Sequence, residues 1–423
     1  MRLRSFAWLP CSLILLLMAA GSVVAQDAND PDYLSNPTAV YNQIVALLNA
    51  GDYDKGLALT DDLIRYWGPK GKEEFGPGFG HFHYLRGLLL MAKESYGEAA
   101  NAFRTCYEEF PNELINNEGL REKPKLANRF LVHALAQWGA CLMITGNYPE
   151  AIEKLKLALE KSPGTRIRTD AIALNLARSL LRNGDLAEGK DLIEKALASA
   201  TLPADMKRKA FMILVEDWTP GAPFDEVLPF LWQHGDLLRN DTPSARWERN
   251  PVFAHLAREA LKQNDPLRAL TWYGFLLNPH ERITHWENRI AELAKVVPGD
   301  DAARDRLNAA REEAETELAK ARDSQAALLL GVGSGHFQMG NASAAYAAFR
   351  EVTDHHPDHP QRPDAIYNLI ASCAHLARWG EIRGYGNEFL DHYPEHPLIA
   401  EVARLMAESI YVQGEWEEAR QTG

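Results

Sequence analysis

The sequence predicts an all-α fold built from repeated pairs of antiparallel helices. Apolar residues recur at helical spacing through most of the chain. A glycine followed by Asp or Asn interrupts that spacing near the middle of several units, and a proline follows the end of several units. The stretch VHALAQWGACLMITGNYPEAIEKLKLALEKSP, from Val132 to Pro163, combines all three features.

This stretch resembles one tetratricopeptide repeat (TPR), a helix–turn–helix unit of about 34 residues. The residues that carry the resemblance are Trp138-Gly139, Gly146-Asn147-Tyr148, Ala151, Leu155, Ala158 and Pro163. The resemblance implies a TPR-like α-solenoid, a right-handed superhelix of roughly nine antiparallel helix pairs. It also implies that the protein binds other proteins.

Four copies of the unit are expected within an N-terminal array that covers residues 39–200. These copies are residues 39–67, 81–111, 132–163 and 170–197. A connector rich in Gly and Pro (68–80) and a polar insertion (112–125) separate the first three copies. Gly87 and Gly139 fall where the two helices of a repeat cross, and we expect them to allow a close approach.

The repeat pattern is weaker in residues 201–325, which we interpret as divergent helical repeats. A helix pair is expected around Thr219-Pro220-Gly221, followed by a recognisable copy from Pro251 to Pro279. The stretch DDAARDRLNAAREEAETELAKARD predicts one long, mostly solvated helix. A coiled-coil or partner-binding helix is the alternative, although Leu307, Ala310, Ala314 and Leu318 are few and small for a strong zipper.

Residues 326–423 predict a C-terminal array whose last repeat is incomplete, because only the start of its second helix precedes Gly423. The connectors HHPDHPQRPDA and HYPEHPLIAEVA resemble those of periplasmic repeat proteins of bacterial envelopes. That resemblance covers about the last 90 residues and implies a role in the cell envelope.

The first 25 residues read as a secretory signal peptide, with Arg2 and Arg4 before an apolar run and Val23-Val24-Ala25 as the cleavage site. Residues 26–38 are a polar, flexible lead-in. We therefore expect a periplasmic or extracellular protein with no transmembrane span in the mature chain. The net charge of −13 argues against nucleic acid as the partner.

Three cysteines follow the signal peptide, and an odd, sparse set is not a disulfide framework. Cys106, Cys141 and Cys373 occupy small packing positions of the repeats, which favours buried free thiols. A bridge between Cys106 and Cys141 is the alternative.

No motif predicts catalysis, a metal site or a cofactor. His280 and His285 are five residues apart, which turns their rings away from each other on a helix, unlike the four-residue spacing of zinc peptidases. The histidine-rich stretch 354–359 could hold zinc or nickel, but its prolines favour a turn between repeats. Glycines at 76–80 and 331–335 lack the preceding strand that a phosphate-binding loop needs.

The predicted binding site is the concave surface formed by the first helix of each repeat. The resemblance to TPR proteins places ten residues of our hypothesis there: His81, Tyr84, Leu88, Met91, His133, Ala140, Met143, Leu174, Arg178 and Leu181. The same alignment adds Ala136, and about half of the set should pack between repeats instead. The leading hypothesis is a non-enzymatic scaffold that holds a peptide or helix, and the alternatives are a structural subunit of an envelope complex and a metal-binding or hydrolytic protein.

Overall fold

A computed structural model describes residues 33–113, 126–239 and 242–422. The predicted signal peptide (1–25), most of the lead-in and most of the insertion at 112–125 lie outside the described residues. The chain forms two compact units, one up to Val227 and one from Leu228 onward. The three-part division at residues 200 and 325 stays a prediction.

The first unit consists of consecutive helices that each pack against the next. A short 3-10 turn, Tyr33–Ser35, precedes α1, and another, Gly76–Phe79, precedes α3. The α-helices are α1 (Pro37–Ala50), α2 (Tyr53–Phe75), α3 (Gly80–Ala92), α4 (Tyr96–Glu108), α5 (Leu131–Thr145), α6 (Tyr148–Glu160), α7 (Thr169–Asn183), α8 (Leu186–Ala198) and α9 (Ala204–Asp217). Contacts between α1 and α3, α5 and α7, and α7 and α9 join the first helices of neighbouring pairs.

Helix α10 (Phe224–His234) contains the boundary between the units, and the second unit continues with ten further helices. They are α11 (Asp236–Arg239), α12 (Pro243–Lys262), α13 (Pro266–Tyr273), α14 (His280–Ala294), α15 (Asp301–Gln338), α16 (Ala342–His355), α17 (Arg362–His375), α18 (Trp379–His392), α19 (Ile399–Val412) and α20 (Trp416–Thr422). The described residues contain no strand, so the predicted all-α helical-repeat solenoid fold is confirmed. The handedness of the superhelix stays a prediction.

The two helices of each pair cross closely where the sequence places a small residue. A Cβ atom on Gly139 would lie 2.7 Å from the Leu155 side chain, and one on Gly87 would lie 2.5 Å from the Phe103 ring. Because real Cβ contacts are never this short, glycine is needed for this helix spacing. The predicted packing role of both glycines is confirmed.

A left-handed residue separates the two helices of most pairs, and it occupies the same place each time. The positive φ angles occur at Gly51, Glu94, Gly146, Gly184, Asn264, Gly340, Ala377 and Gly414. At Gly146 the backbone N–H points back to the carbonyl oxygens of Leu142 and Met143 and closes the end of α5. The recurrence shows that the repeat extends into the divergent middle, where Asn264 takes the glycine position.

Helix α15 serves two helix pairs at once, which the sequence did not predict. Its first half packs on α14 and its second half pairs with α16. Other repeats end their second helix near a proline, but no proline occurs between Pro298 and Pro357, so the helix continues for 38 residues. The predicted long charged helix is present, and the predicted boundary at residue 325 lies inside α15.

The prediction of a plain connector at residues 68–80 is wrong. Helix α2 continues to Phe75 across a kink at Gly68, and the 3-10 turn follows directly. Phe79 is 2% exposed and its ring packs against Phe75, Phe82 and Phe110. Burial of these rings holds the segment in a helical form that its Gly and Pro content does not suggest.

The three cysteines of the described chain are buried free thiols, as predicted, and no Cys106–Cys141 bridge is formed. Burial raises the pKa of the Cys106 and Cys141 thiols to about 12, which keeps both protonated at neutral pH. Within the described residues, no helix has the length and apolar character needed to cross a membrane.

Candidate functional site

The structure places the ten predicted groove residues on α3, α5 and α7 of the first unit, and it divides them by burial. The fully buried residues are Tyr84, Met91, Ala140, Leu174 and Leu181, and Ala136 is buried as well. The half-buried residues are His81, Leu88, His133, Met143 and Arg178. Only the half-buried group has surface to offer a partner without a rearrangement.

A row of partly exposed rings crosses the first helices of three neighbouring repeats. The ring centroids of Tyr41 and His81 are 6.4 Å apart, and those of His81 and Phe130 are 4.9 Å apart. Phe130 and His133 follow at 6.1 Å. Such rings give a binding surface large contact area with little conformational entropy to lose.

Tyr84 lies beneath this row and supports it. Its ring stacks flat on Phe130, with centroids 4.4 Å apart and planes 8° apart. Burial raises the pKa of its hydroxyl, which has no hydrogen-bond partner among the described residues. His133 Nδ1 is also buried and has no hydrogen-bond partner among the described residues. This favours the tautomer with the proton on Nε2.

Asn128 follows the 112–125 insertion in the sequence and sets the position of Phe130. Its side-chain amide donates to the carbonyl oxygens of Cys106 (3.1 Å) and Phe110 (3.2 Å). Its side-chain oxygen accepts from the Phe130 N–H at 3.1 Å. Asn112 pairs with the Asn128 backbone in both directions, so the two ends of the insertion are tied together.

His81 on α3 is uncharged, and it holds the segment that precedes α5. Its Nε2 accepts a hydrogen bond from the Arg129 N–H at 3.2 Å. Burial, together with the nearby Arg129 guanidinium, lowers the pKa of His81 to about 4. The positive charge at this end of the ring row therefore comes from Arg129 and not from the imidazoles.

Two apolar side chains continue the surface away from the rings. Leu88 on α3 and Met143 on α5 are half-buried and pack against the core cluster that contains Met91 and Ala136. Met is unbranched and adapts to irregular partners, which suits a binding surface.

Arg178 is engaged within the protein. Its guanidinium pairs with Glu216, and its Nε lies 2.8 Å from Asp217 Oδ2. Arg182 Nε lies 2.9 Å from the other carboxylate oxygen of Asp217. These ion pairs join α7 to α9, so Arg178 holds two repeats together.

Two rings of the row, Tyr41 and Phe130, and the adjacent Arg129 were not predicted. Tyr41 occupies in the first repeat the lining position that Tyr84 holds in the second, so the same alignment could have found it. Arg129 and Phe130 precede α5 and belong to no repeat position. They lie at this surface because Asn128 accepts a hydrogen bond from the Phe130 N–H and the Arg129 N–H donates to His81.

Within the predicted turn at 354–359, His359 connects segments of the chain. His359 Nδ1 accepts from the Gln361 N–H at 3.2 Å, and its Nε2 lies 3.1 Å from Asp323 Oδ1. His396 repeats the first bond with the Leu398 N–H at 3.3 Å. Across the described residues, no three His, Cys, Asp or Glu side chains are arranged to hold a metal ion.

The glycines at 331–335 lie inside α15, not in a loop. A Cβ atom on Gly331 would lie 1.9 Å from the Tyr273 hydroxyl, and one on Gly333 would lie 2.6 Å from the Phe349 ring. Both glycines let neighbouring helices approach α15, which explains them without a bound phosphate.

The sequence profile of the tetratricopeptide repeat family matches residues 41–113, which cover α2 to α4 and most of α1. The solved structure of a monomeric IFIT1 mutant with Gppp-AAAA is 13% identical over 91% of this chain and 79% of that chain, with a TM-score of 0.29. The structure of Naa15/Naa10 bound to HypK-THB is 13% identical over 91% of this chain and 67% of that chain, with a TM-score of 0.22. No protein of curated function matches the sequence.

The profile match confirms the predicted resemblance to tetratricopeptide repeat proteins. Repeats of this kind present extended surfaces that generally mediate contacts between proteins.

Proposed function

We propose that the first unit is a non-enzymatic binding scaffold that holds a segment of another protein on the surface formed by α1, α3 and α5. The observation that carries the proposal is the continuous row of half-buried rings, from Tyr41 to His133, beside the apolar Leu88 and Met143. A surface of this composition buries apolar side chains of a partner, and it requires no chemical step.

The chemistry of the surface favours a peptide that combines an apolar side chain with hydrogen-bond acceptors. The guanidinium of Arg129 and, in the favoured tautomer, Nε2–H of His133 are donors. The predicted signal peptide and the envelope-like connectors support a partner in the periplasm or outside the cell. The proposed role is therefore in assembly or maintenance of the cell envelope.

The test replaces the two apolar groove residues together, as Leu88→Glu with Met143→Glu. Leu186→Glu on α8 is the matched control, because Leu186 is 46% exposed and lies on a second helix outside the groove. The three mature chains are immobilised, challenged with envelope extract, and the bound proteins are quantified by mass spectrometry. We expect at least one protein to bind the wild type and the control but not the groove variant. An identical set of proteins on all three chains would refute the groove.

A second candidate function is a subunit of a larger envelope complex, and exposed apolar side chains at α19 and α20 favour it. Tyr411 is 62% exposed and Trp416 is 68% exposed. The change Tyr411→Ser with Trp416→Ser should then abolish self-association or complex formation in analytical ultracentrifugation. Unchanged sedimentation would reject this candidate and leave the groove proposal intact.

A further inference from the structure

A cavity of about 150 Å³ lies in the second unit, outside the proposed groove. Its walls come from helices α11 and α12 and from the two residues that follow α13. The lining residues are Leu238, Arg246, Arg249, Phe253, Gly274 and Phe275. The three residues from α12 follow a spacing of three and four, so they share one face of that helix.

The floor of the cavity is apolar and firmly held. Phe253 is 2% exposed, and its ring stacks on Phe275 with centroids 5.4 Å apart and planes 19° apart. Asn250 fixes the chain beyond Phe275, because its side chain donates to the Leu277 carbonyl (3.1 Å) and accepts from the Leu277 N–H (3.0 Å). A ligand therefore meets a preformed aromatic surface, and little ordering is needed on binding.

Both polar side chains of the cavity lining are arginines, Arg246 and Arg249. Nearby arginines of the second unit have carboxylate partners, for example Arg268 with Asp265 and Arg282 with Glu317. Within residues 33–113, 126–239 and 242–422, no carboxylate pairs with Arg246. Its guanidinium, held beside an apolar floor, is suited to bind an external anion.

We propose that this cavity binds a small organic carboxylate with an aryl or branched aliphatic body. The carboxylate accepts hydrogen bonds from the Arg246 guanidinium, while the body packs on Phe253 and Phe275. The cavity is well below the roughly 300–1,000 Å³ of pockets for drug-sized ligands, so the ligand is no larger than one ring with its acid group. This inference does not depend on the proposed function of the first unit.

The first test titrates the full mature chain with sodium phenylacetate by isothermal titration calorimetry. For a ligand of this size we expect a Kd on the order of 0.1–1 mM. Phenylacetamide has the same shape without the charge and should bind at least tenfold more weakly, and inorganic phosphate should not displace phenylacetate. Absence of phenylacetate binding, equal binding of the amide, or displacement by phosphate would each overturn the proposal.

The second test locates the site with matched variants on one helix. Arg246→Gln should weaken phenylacetate binding at least tenfold, and Arg246→Lys less, because lysine keeps the charge but loses the forked geometry. Arg258→Gln changes an exposed arginine of α12 and should leave binding unchanged. The methyl NMR signals of Leu238 should move during the titration and not in the Arg246→Gln variant. Undiminished binding by Arg246→Gln, or no movement of the Leu238 signals, would place the ligand elsewhere and refute the site.

Discussion

At the scale of single residues, Asn128 shows how one polar side chain positions part of the proposed groove. It is 2% exposed, and both its side-chain nitrogen and oxygen have backbone partners. A buried amide is stabilising only when it is fully bonded, because each orphaned partner costs free energy. The position of Phe130 therefore depends on this residue, although Asn128 itself has no surface for a ligand.

We expect Asn128→Ala to lower the free energy of unfolding by about 2–4 kcal/mol, because it leaves the Cys106 and Phe110 carbonyls and the Phe130 N–H without their partner. Urea unfolding followed by circular dichroism measures the change. Asn101→Ala on the exposed face of α4 is the control and should cost less than about 0.5 kcal/mol. Similar losses in the two variants would contradict the role assigned to Asn128.

His81 and His83 give the first unit a pH-dependent stability. Burial lowers the pKa of each imidazole to about 4 from its usual value of 6.5. The unfolded chain then binds more protons between these values, so the contribution to stability is complete above pH 6.5 and is lost as the pH falls toward 4. Lowering the pH from 7.5 to 5 should therefore reduce the free energy of unfolding by about 1–2 kcal/mol for each histidine.

The corresponding measurement is urea unfolding of the wild type and of His81→Gln at pH 7.5 and pH 5. Gln remains uncharged across this range. On acidification, the free energy of unfolding of the variant should therefore fall by about 1–2 kcal/mol less than that of the wild type. His280→Gln replaces an exposed histidine and should follow the wild type. An equal pH effect in His81→Gln would mean that His81 is not the titrating group.

At the scale of elements, the turn between paired helices requires a left-handed residue, and three repeats meet that requirement without glycine. Ala377 has φ 55° and Glu94 has φ 61°. A residue with a Cβ atom in the left-handed region costs roughly 1–2 kcal/mol of conformational free energy. This exceeds the entropic cost of ordering a glycine on folding.

Ala377→Gly should therefore raise the free energy of unfolding of the second unit by about 0.5–1 kcal/mol. Gly146→Ala makes the opposite change at φ 87° and should lower that of the first unit by about 1 kcal/mol. Thermal or urea unfolding checks both signs. A destabilised Ala377→Gly protein would show that side-chain contacts of Ala377 outweigh its backbone strain.

The continuity of α15 is the element-scale feature that sequence patterns describe least well. Its buried positions Leu307, Ala314 and Ala321 recur every seven residues, and the first two pack in one apolar cluster with Leu293 of α14, while the repeat that follows begins without any break. Ser324→Pro should lower the free energy of unfolding by about 3 kcal/mol or more, because proline removes a helix hydrogen bond and clashes with the preceding turn. Ser343→Pro should be tolerated, since it lies in the first turn of α16 as Pro149 does in α6. Loss of helix content only in Ser324→Pro, seen by circular dichroism, is the expected result.

Most of the fold could be predicted because each repeat has its own local pattern. The helix pairs, the left-handed turns at glycine and the packing roles of Gly87 and Gly139 all follow from residues close together in the sequence. The helical form of residues 68–80 could not be predicted, because it depends on burial of Phe79 against distant rings. Two repeats share α15 because no proline ends the helix between them. The absence of a residue is not a positive sequence pattern, so this continuity was not predicted.

At the scale of the whole molecule, the candidate site is less predictable than the fold, since it depends on contacts between repeats. The alignment found the lining positions, but burial decides which of them are accessible. Tyr84 and Met91 fill space between helices, whereas Leu88 and Met143 keep some surface. Arg129 and Phe130 reach the surface only because Asn128 fixes the chain after the insertion.

The division into two compact units predicts that a local defect stays local. In repeat proteins each repeat is stabilised mainly by its neighbours, so loss of the Asn128 bonds should loosen α3 to α6 most. Hydrogen exchange with mass spectrometry should show faster exchange in these helices of Asn128→Ala and unchanged exchange in α16 to α19. The converse variant, Phe389→Ala, removes a fully buried ring from the core of α16 to α19 and should speed exchange there while leaving α3 to α6 unchanged. Faster exchange throughout the chain in either variant would show that the two units unfold as one.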